Sequence, residues 1–162
     1  MISAIILAGG KGKRMGAPVS KQFIEIKGKP IIYYTIKKFS ENKKIDNIVV
    51  VLSKDEVVYF KENILEKYNL KVDNIVIGGT ERQDSVYNGL KSLEDTNTDI
   101  VLIHDGARPF ISDRIIDDGI KFAQVYGACA PGVMPKDTIK IKNESNFSVS
   151  TPDRGSLVAI QT

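Results

Sequence analysis

Apolar and polar positions alternate along this chain in blocks rather than residue by residue. Runs rich in Ile and Val occupy 3–7, 47–52, 74–77, 99–103 and 128–133, mostly without a two-residue period. Such runs suit strands buried on both faces. Between them, 30–39, 55–68, 84–93 and 112–126 repeat their apolar positions every three or four residues, as amphipathic helices do. The alternation predicts an α/β domain of three layers around a mostly parallel sheet. In such a domain ligands sit beyond the carboxyl ends of the strands. The segments placed there are Ala8-Gly9-Gly10, Gly78-Gly79-Thr80 and His104-Asp105-Gly106.

The pattern changes after Val133. Thr138-Ile139-Lys140-Ile141-Lys142, a polar turn over 143–146 and Phe147-Ser148-Val149-Ser150 follow a two-residue period and predict a hairpin. A lone hairpin is marginal in water. Its stripe of Ile139, Ile141, Phe147 and Val149 needs cover, from the same domain or from a second chain. No internal repeat or low-complexity linker interrupts the sequence, so one domain over 1–162 is expected, with the hairpin as an arm at 136–154.

Composition narrows the class. With 162 residues, 42% of them hydrophobic, the chain can bury one proper core. The apolar start has no basic segment ahead of it and is far short of a bilayer span, so neither a signal peptide nor a membrane partner is expected. Cys129 is the sole cysteine and His104 the sole histidine. An internal disulfide and a zinc cluster of several Cys and His are therefore excluded, and a cytoplasmic setting fits. Cys129 lies in the apolar run 128–130 and is expected to pack in the core. The net charge of +3 is concentrated: Lys11, Lys13, Arg14, Lys21, Lys27 and Lys29 face only Glu25 within the first 29 residues. A local positive field suits a phosphorylated small molecule better than a nucleic-acid track, which needs basic residues along a whole face. The plainer alternative, a solvated basic surface, is weakened by the glycines between these charges.

Leu7-Ala8-Gly9-Gly10-Lys11-Gly12-Lys13-Arg14-Met15-Gly16 sets a glycine-rich turn directly after a buried strand, where backbone N–H groups can approach a phosphate. It matches neither a Walker loop nor the dinucleotide fingerprint. With Lys21-Gln22-Phe23 nearby it resembles the signature of sugar-phosphate nucleotidylyltransferases. Three further segments resemble one branch, the 2-C-methyl-D-erythritol 4-phosphate cytidylyltransferase family of the non-mevalonate isoprenoid pathway. They are Gly78-Gly79-Thr80-Glu81-Arg82-Gln83-Asp84-Ser85-Val86, His104-Asp105-Gly106-Ala107-Arg108-Pro109-Phe110, and Asp153-Arg154 through Ile160-Gln161-Thr162.

The resemblance implies a Rossmann-like nucleotidyltransferase fold with a β-hairpin arm, and transfer of CMP from CTP to a polyol phosphate with release of pyrophosphate. It implies that Ala8, Gly9, Gly10 and Gly12 wrap the triphosphate and that Arg14 and Lys21 are catalytic cations. Gly79, Thr80 and Ser85 match positions that meet the cytosine ring, although a turn followed by a helix cap would explain those residues alone. Asp105 matches a magnesium (Mg2+) ligand, and Gly106, Arg108, Thr138, Arg154 and Thr162 match positions that hold methylerythritol phosphate. The arm implies a homodimer. His104 is read as structural, because a phosphate monoester is already largely ionised near neutral pH and needs little general-base help.

The chain departs from the family pattern at Gly106 and at Gly155-Ser156, both small changes. The resemblance stops at Thr162, whereas the family continues with further helices, strands and a late lysine near the α-phosphate. The chain as given is thus expected to bind nucleotide better than it turns over. Ribitol 5-phosphate cytidylyltransferase, which shares the nucleotide loops, and a nucleotide-binding module without turnover remain the alternatives.

Overall fold

The computed structural model describes residues 1–10 and 20–160. They divide into two compact units, Met1–Lys121 and Phe122–Thr162. In chain order the first unit contains β1 (Ile2–Ala8), a 3-10 turn (Lys21–Phe23), a short hairpin of β2 (Glu25–Ile26) and β3 (Lys29–Pro30), α1 (Ile31–Glu41) and β4 (Asn47–Leu52). A 3-10 turn (Lys54–Glu56) then leads into α2 (Val57–Phe60) and a π-helical stretch (Lys61–Glu66). β5 (Asn74–Ile77), α3 (Arg82–Lys91), β6 (Ile100–Asp105) and α4 (Asp113–Tyr126) follow, and the boundary between the units falls within α4.

The Ile/Val runs form a parallel sheet in the order β5-β4-β1-β6. β1 lies inside it, and Ala4, Ile5 and Ile6 are wholly buried. Side chains alternate across a strand, so Ala4, Ile6, Ile48, Val50 and Leu52 face one layer. There they meet Ile32, Ile36 and Phe39 of α1, Phe60, Ile64, and Ile116 and Ile120 of α4. Ile5, Val49 and Val51 face the opposite layer. α3 covers them closely: a Cβ on Gly89 would come within 2.8 Å of Ile5 Cγ2. This is the three-layer α/β architecture expected from the alternation.

Three expectations need correction. The single helix predicted over 55–68 is a 3-10 turn, one α-turn and a π-helical stretch. Val57, Phe60, Ile64, Leu65 and Tyr68 all pack on the same core, a spacing that the wider turn serves. The buried parallel strand predicted over 128–133 is also absent from the described sheet. Gly127, at φ +83°, ends α4, and Pro131 has no N–H for a ladder. Only β7 (Gly132–Val133) pairs, antiparallel to β10 (Ala159–Ile160). Cys129 is accordingly exposed rather than packed in the core.

The second unit also holds the predicted hairpin, with β8 (Ile141–Lys142) antiparallel to β9 (Ser148–Ser150). Its turn is closed by Asn143, whose side-chain oxygen accepts the Phe147 N–H at 3.0 Å, and by Asn146 at φ +67°. Ile139, Ile141, Phe147 and Val149 are 42%, 50%, 72% and 60% exposed, so the apolar stripe is open in the isolated chain. Among the described residues no helix is long and apolar enough to cross a membrane.

Candidate active site at the carboxyl edge of the sheet

The chain runs outward from β1 to β4 and β5, then returns to lay β6 on the other side of β1. That reversal is a topological switch point between β1 and β6, at whose carboxyl ends an open parallel sheet usually holds its ligand. The register sets Ala8 beside Leu52, Leu52 beside Ile77, and Leu7 beside Asp105. Ala8-Gly9-Gly10, Gly78-Gly79-Thr80 and Asp105-Gly106 therefore leave the sheet along one edge.

Asp105 ends β6 with one carboxylate oxygen 2.9 Å from Arg108 Nε and the other 3.2 Å from Arg82 Nη2. All three side chains are partly exposed, so each pair stabilises the fold by only about 0.2–1 kcal/mol. The arrangement is better explained as a prepared charge cluster, one hard carboxylate flanked by two guanidinium groups. Gly106 is buried behind it, and its N–H donates to Leu7 O at 2.7 Å. A Cβ there would lie 3.1 Å from that oxygen and 3.2 Å from Ala8 Cβ, so a glycine suits this close approach. Thr35 of α1 fixes the same turn by donating to Gly106 O at 2.9 Å.

The His104 imidazole is tied into the fold. Its Nε2 donates to Arg108 O at 2.9 Å, and its ring lies 5.2 Å from that of Phe39. Burial is the main cause that holds its pKa below the usual imidazole value, with Arg108 assisting and Asp105 and the Arg108 carbonyl opposing. It is a structural residue that shapes the Arg108 turn.

At the β5 exit, Ser85 Oγ accepts the Gly79 N–H at 3.2 Å and lies 3.3 Å from Glu81 O, to which it donates. Glu81 N–H donates to the Asp84 carboxylate at 3.0 Å, which closes the first turn of α3. Thr80 and Gly79 are exposed at this turn, and Ser85 is buried beneath it. The turn also aims Arg82, the first residue of α3, at Asp105.

At the β1 exit no described residue lies within 4 Å of where a Gly10 Cβ would stand. Lys21 is exposed on its 3-10 turn, and the neighbouring Gln22 amide donates to Ala8 O at 2.6 Å. Gly12, Arg14 and Thr162 lie outside the described residues. Thr138 and Arg154 are exposed in the second unit, where Arg154 Nη1 donates to Lys136 O at 3.0 Å.

The structure thus brings Asp105, Arg108 and Gly106 together, and joins Gly79 to Ser85. It adds residues that the sequence analysis did not single out: Arg82, Thr35, Gln22 and Glu56. A signal existed for Glu56, since Ser53-Lys54-Asp55-Glu56 has the spacing of a capping box. Among the described residues no group of three or more His, Cys, Asp or Glu could hold a metal by itself. A lone carboxylate still suits magnesium, which is commonly bound by one or two carboxylates together with substrate phosphates and water.

Known proteins share this fold and sequence pattern. The family model of 2-C-methyl-D-erythritol 4-phosphate cytidylyltransferase matches residues 2–162. A Clostridium perfringens protein of that name is 65% identical over 161 residues, 99% of this chain and 71% of the relative. One from Clostridium beijerinckii is 60% identical over 162 residues, again 71% of its length. The solved structure of 4-diphosphocytidyl-2C-methyl-D-erythritol synthase from Anaerococcus prevotii superimposes with a TM-score of 0.84 at 37% identity, over 99% of this chain and 67% of the other.

Proposed function

The chain belongs to the 2-C-methyl-D-erythritol 4-phosphate cytidylyltransferase family of nucleotidyltransferases, and from that membership we propose how its residues transfer CMP from CTP to 2-C-methyl-D-erythritol 4-phosphate. The observation that carries this reading is the match over residues 2–162, with 65% identity to a relative of that name.

A phosphate oxygen of methylerythritol phosphate attacks the α-phosphorus of CTP. The new P–O bond forms as the α–β bridge breaks, and the bridging oxygen leaves with pyrophosphate. Negative charge crowds the reacting centre throughout, so fixed cations and orientation supply most of the catalysis. The glycine turn from Ala8 to Gly12 offers backbone N–H groups to the triphosphate, and Arg14 and Lys21 add positive charge. Thr80, Gly79 and Ser85 read the cytosine from the β5 exit; the support is that Gly79 and Thr80 are exposed there and Ser85 Oγ braces the turn.

Asp105 is the proposed ligand for magnesium, which when bound would neutralise phosphate charge. Arg108, beside it, is suited to the phosphate of the second substrate, and Gly106 is proposed to serve the same substrate through the turn that sets Arg108 beside Asp105. Thr138, Arg154 and Thr162 are proposed to bind the polyol phosphate on the strength of the family match alone. A homodimer joined through the 136–154 arm is part of the proposal, supported by the exposure of Ile141, Phe147 and Val149. So is a cytoplasmic place of work, where CTP is found.

The test is pyrophosphate release from CTP with methylerythritol phosphate and with ribitol 5-phosphate in parallel. Release with the first and little with the second is expected. Preference for ribitol phosphate, or release with neither, would overturn the substrate assignment.

A further inference from the structure

Glu56 stands apart from the residues given roles above, yet its carboxylate gathers donors from its own turn and from a segment more than 30 residues away. Ser20 Oγ donates to Oε1 and Ser53 Oγ to Oε2, the latter at 2.6 Å. Gln22 Nε2 lies 3.3 Å from Oε2 and 3.5 Å from Oε1, and the same nitrogen donates to Ala8 O at 2.6 Å. With acceptors on both sides, both hydrogens of that amide are used. Gln22 is only 3% exposed, so water cannot readily substitute.

Ser20 and Gln22 flank Lys21 in the sequence. The turn between them is closed by Phe23 N–H donating to Ser20 O at 2.8 Å, and Phe23 is itself buried. Both neighbours of Lys21 are therefore fastened to one carboxylate at the exit of β4, and Gln22 also to the exit of β1. Glu56 makes no ion pair with Lys21 among the described residues. Its negative charge is met by hydroxyl and amide donors, which leaves the lysine charge available to a ligand.

We infer that Glu56 is the positioning residue for Lys21, holding the lysine's backbone at the carboxyl edge of the sheet through Ser20 and Gln22. The inference deepens the proposed function, in which Lys21 supplies positive charge at the phosphates of CTP, and it rests on that reading. A displacement of about 1 Å at such a group can lower a rate by roughly 10²-fold. The hydrogen bonds to a carboxylate that prevent it are of the stronger, charge-assisted kind.

The experiment uses Glu56→Gln, which keeps the side chain's size but turns an N–H group toward the Ser and Gln donors. Amide hydrogen exchange at Phe23 and Ile24 should quicken by about tenfold, while exchange at Ile5 and Ile6 in β1 stays unchanged. The kcat for pyrophosphate release from CTP and methylerythritol phosphate should fall by about tenfold, with KM for CTP altered less than threefold. Lys21→Ala should lower kcat by itself, and adding Glu56→Gln to it should cost less than a further twofold, because the two act through one group. Unchanged exchange, a kcat within twofold of wild type, or additive effects in the double variant would each overturn the inference. A wild type that releases no pyrophosphate from these substrates would sink the proposed function instead, and the exchange measurement would still decide whether Glu56 holds the turn. If Glu56→Gln fails to fold, Ser20→Ala cuts the tether on one side of Lys21 and is judged by the same readouts.

Discussion

Replacing Gly79 by alanine should damage the proposed nucleotide site from a single methyl group. An ideal Cβ on Gly79 would lie 2.2 Å from Asp84 Cβ, 3.2 Å from its Cγ and 3.3 Å from its backbone carbon. Ordinary contact begins near 3.4 Å, so the turn and the first turn of α3 would have to part by about 1.2 Å. That movement breaks the bond from Gly79 N–H to Ser85 Oγ and strains the one from Glu81 N–H to Asp84. It also displaces Arg82 from Asp105. Overpacking of this kind costs about 1–3 kcal/mol, and a lost hydrogen bond about 1 kcal/mol. Taking about 2 kcal/mol in all, Tm should fall by roughly 4–8 °C at this chain length. Calorimetric titration should show CTP bound at least about tenfold more weakly. Gly119→Ala, inside α4, is the control, since among the described residues its Cβ would meet only Leu102 Cδ2 at 3.7 Å. There alanine should stabilise by about 0.5–1 kcal/mol and leave CTP affinity unchanged. A Gly79→Ala protein with wild-type Tm and wild-type CTP affinity would refute the reasoning.

Arg14→Ala should leave the fold intact and lower kcat by about 10²-fold or more, the scale of removing one transition-state charge donor; near-normal turnover in a steady-state assay would remove that role. The wild type should sediment as a dimer at roughly tens of micromolar and an Ile139→Asp, Ile141→Asp double variant as a monomer, since an interface of standard size associates at that concentration; a monomeric wild type contradicts the arm. For His104 the folded pKa is lowered by burial, so the unfolded chain takes up the proton first on acidification. Its contribution to stability is then fully present above about pH 6.5 and is lost as pH falls below that value toward the folded pKa. Thermal melts of His104→Gln should show a weaker pH dependence in that window than wild type, and an equal dependence would show that His104 is not its source.

The strands that sequence located most closely are Asn47–Leu52 and Asn74–Ile77, where an Ile/Val run between helical segments has one economical placement, inside a covered sheet. The run at 128–133 had the same apolar character and failed, because hydropathy alone does not register that Pro131 lacks an N–H or that Gly127 turns the chain. The glycine turns were legible for a local reason, since each follows its strand directly. Arg82 and Glu56 were not, because what gives them meaning is remote. Arg82 meets Asp105 across 23 residues, and Glu56 meets Ser20 across 36. Only the parallel register, which brings four strand ends to one edge, makes those pairs neighbours.

If CMP transfer takes place at this edge, as proposed, it depends on the carboxylate of Asp105. The most direct test is the steady-state rate of pyrophosphate release from CTP and methylerythritol phosphate by Asp105→Asn, measured beside wild type with melting curves to show that both are folded. Asparagine keeps the side chain's shape and one acceptor for the flanking arginines while removing its charge. The expected result is a folded protein with kcat lowered by about 10²-fold or more, the scale of losing a principal charge-organising group. A folded Asp105→Asn protein whose kcat stays within about twofold of wild type, less than 0.5 kcal/mol in the barrier, would contradict it.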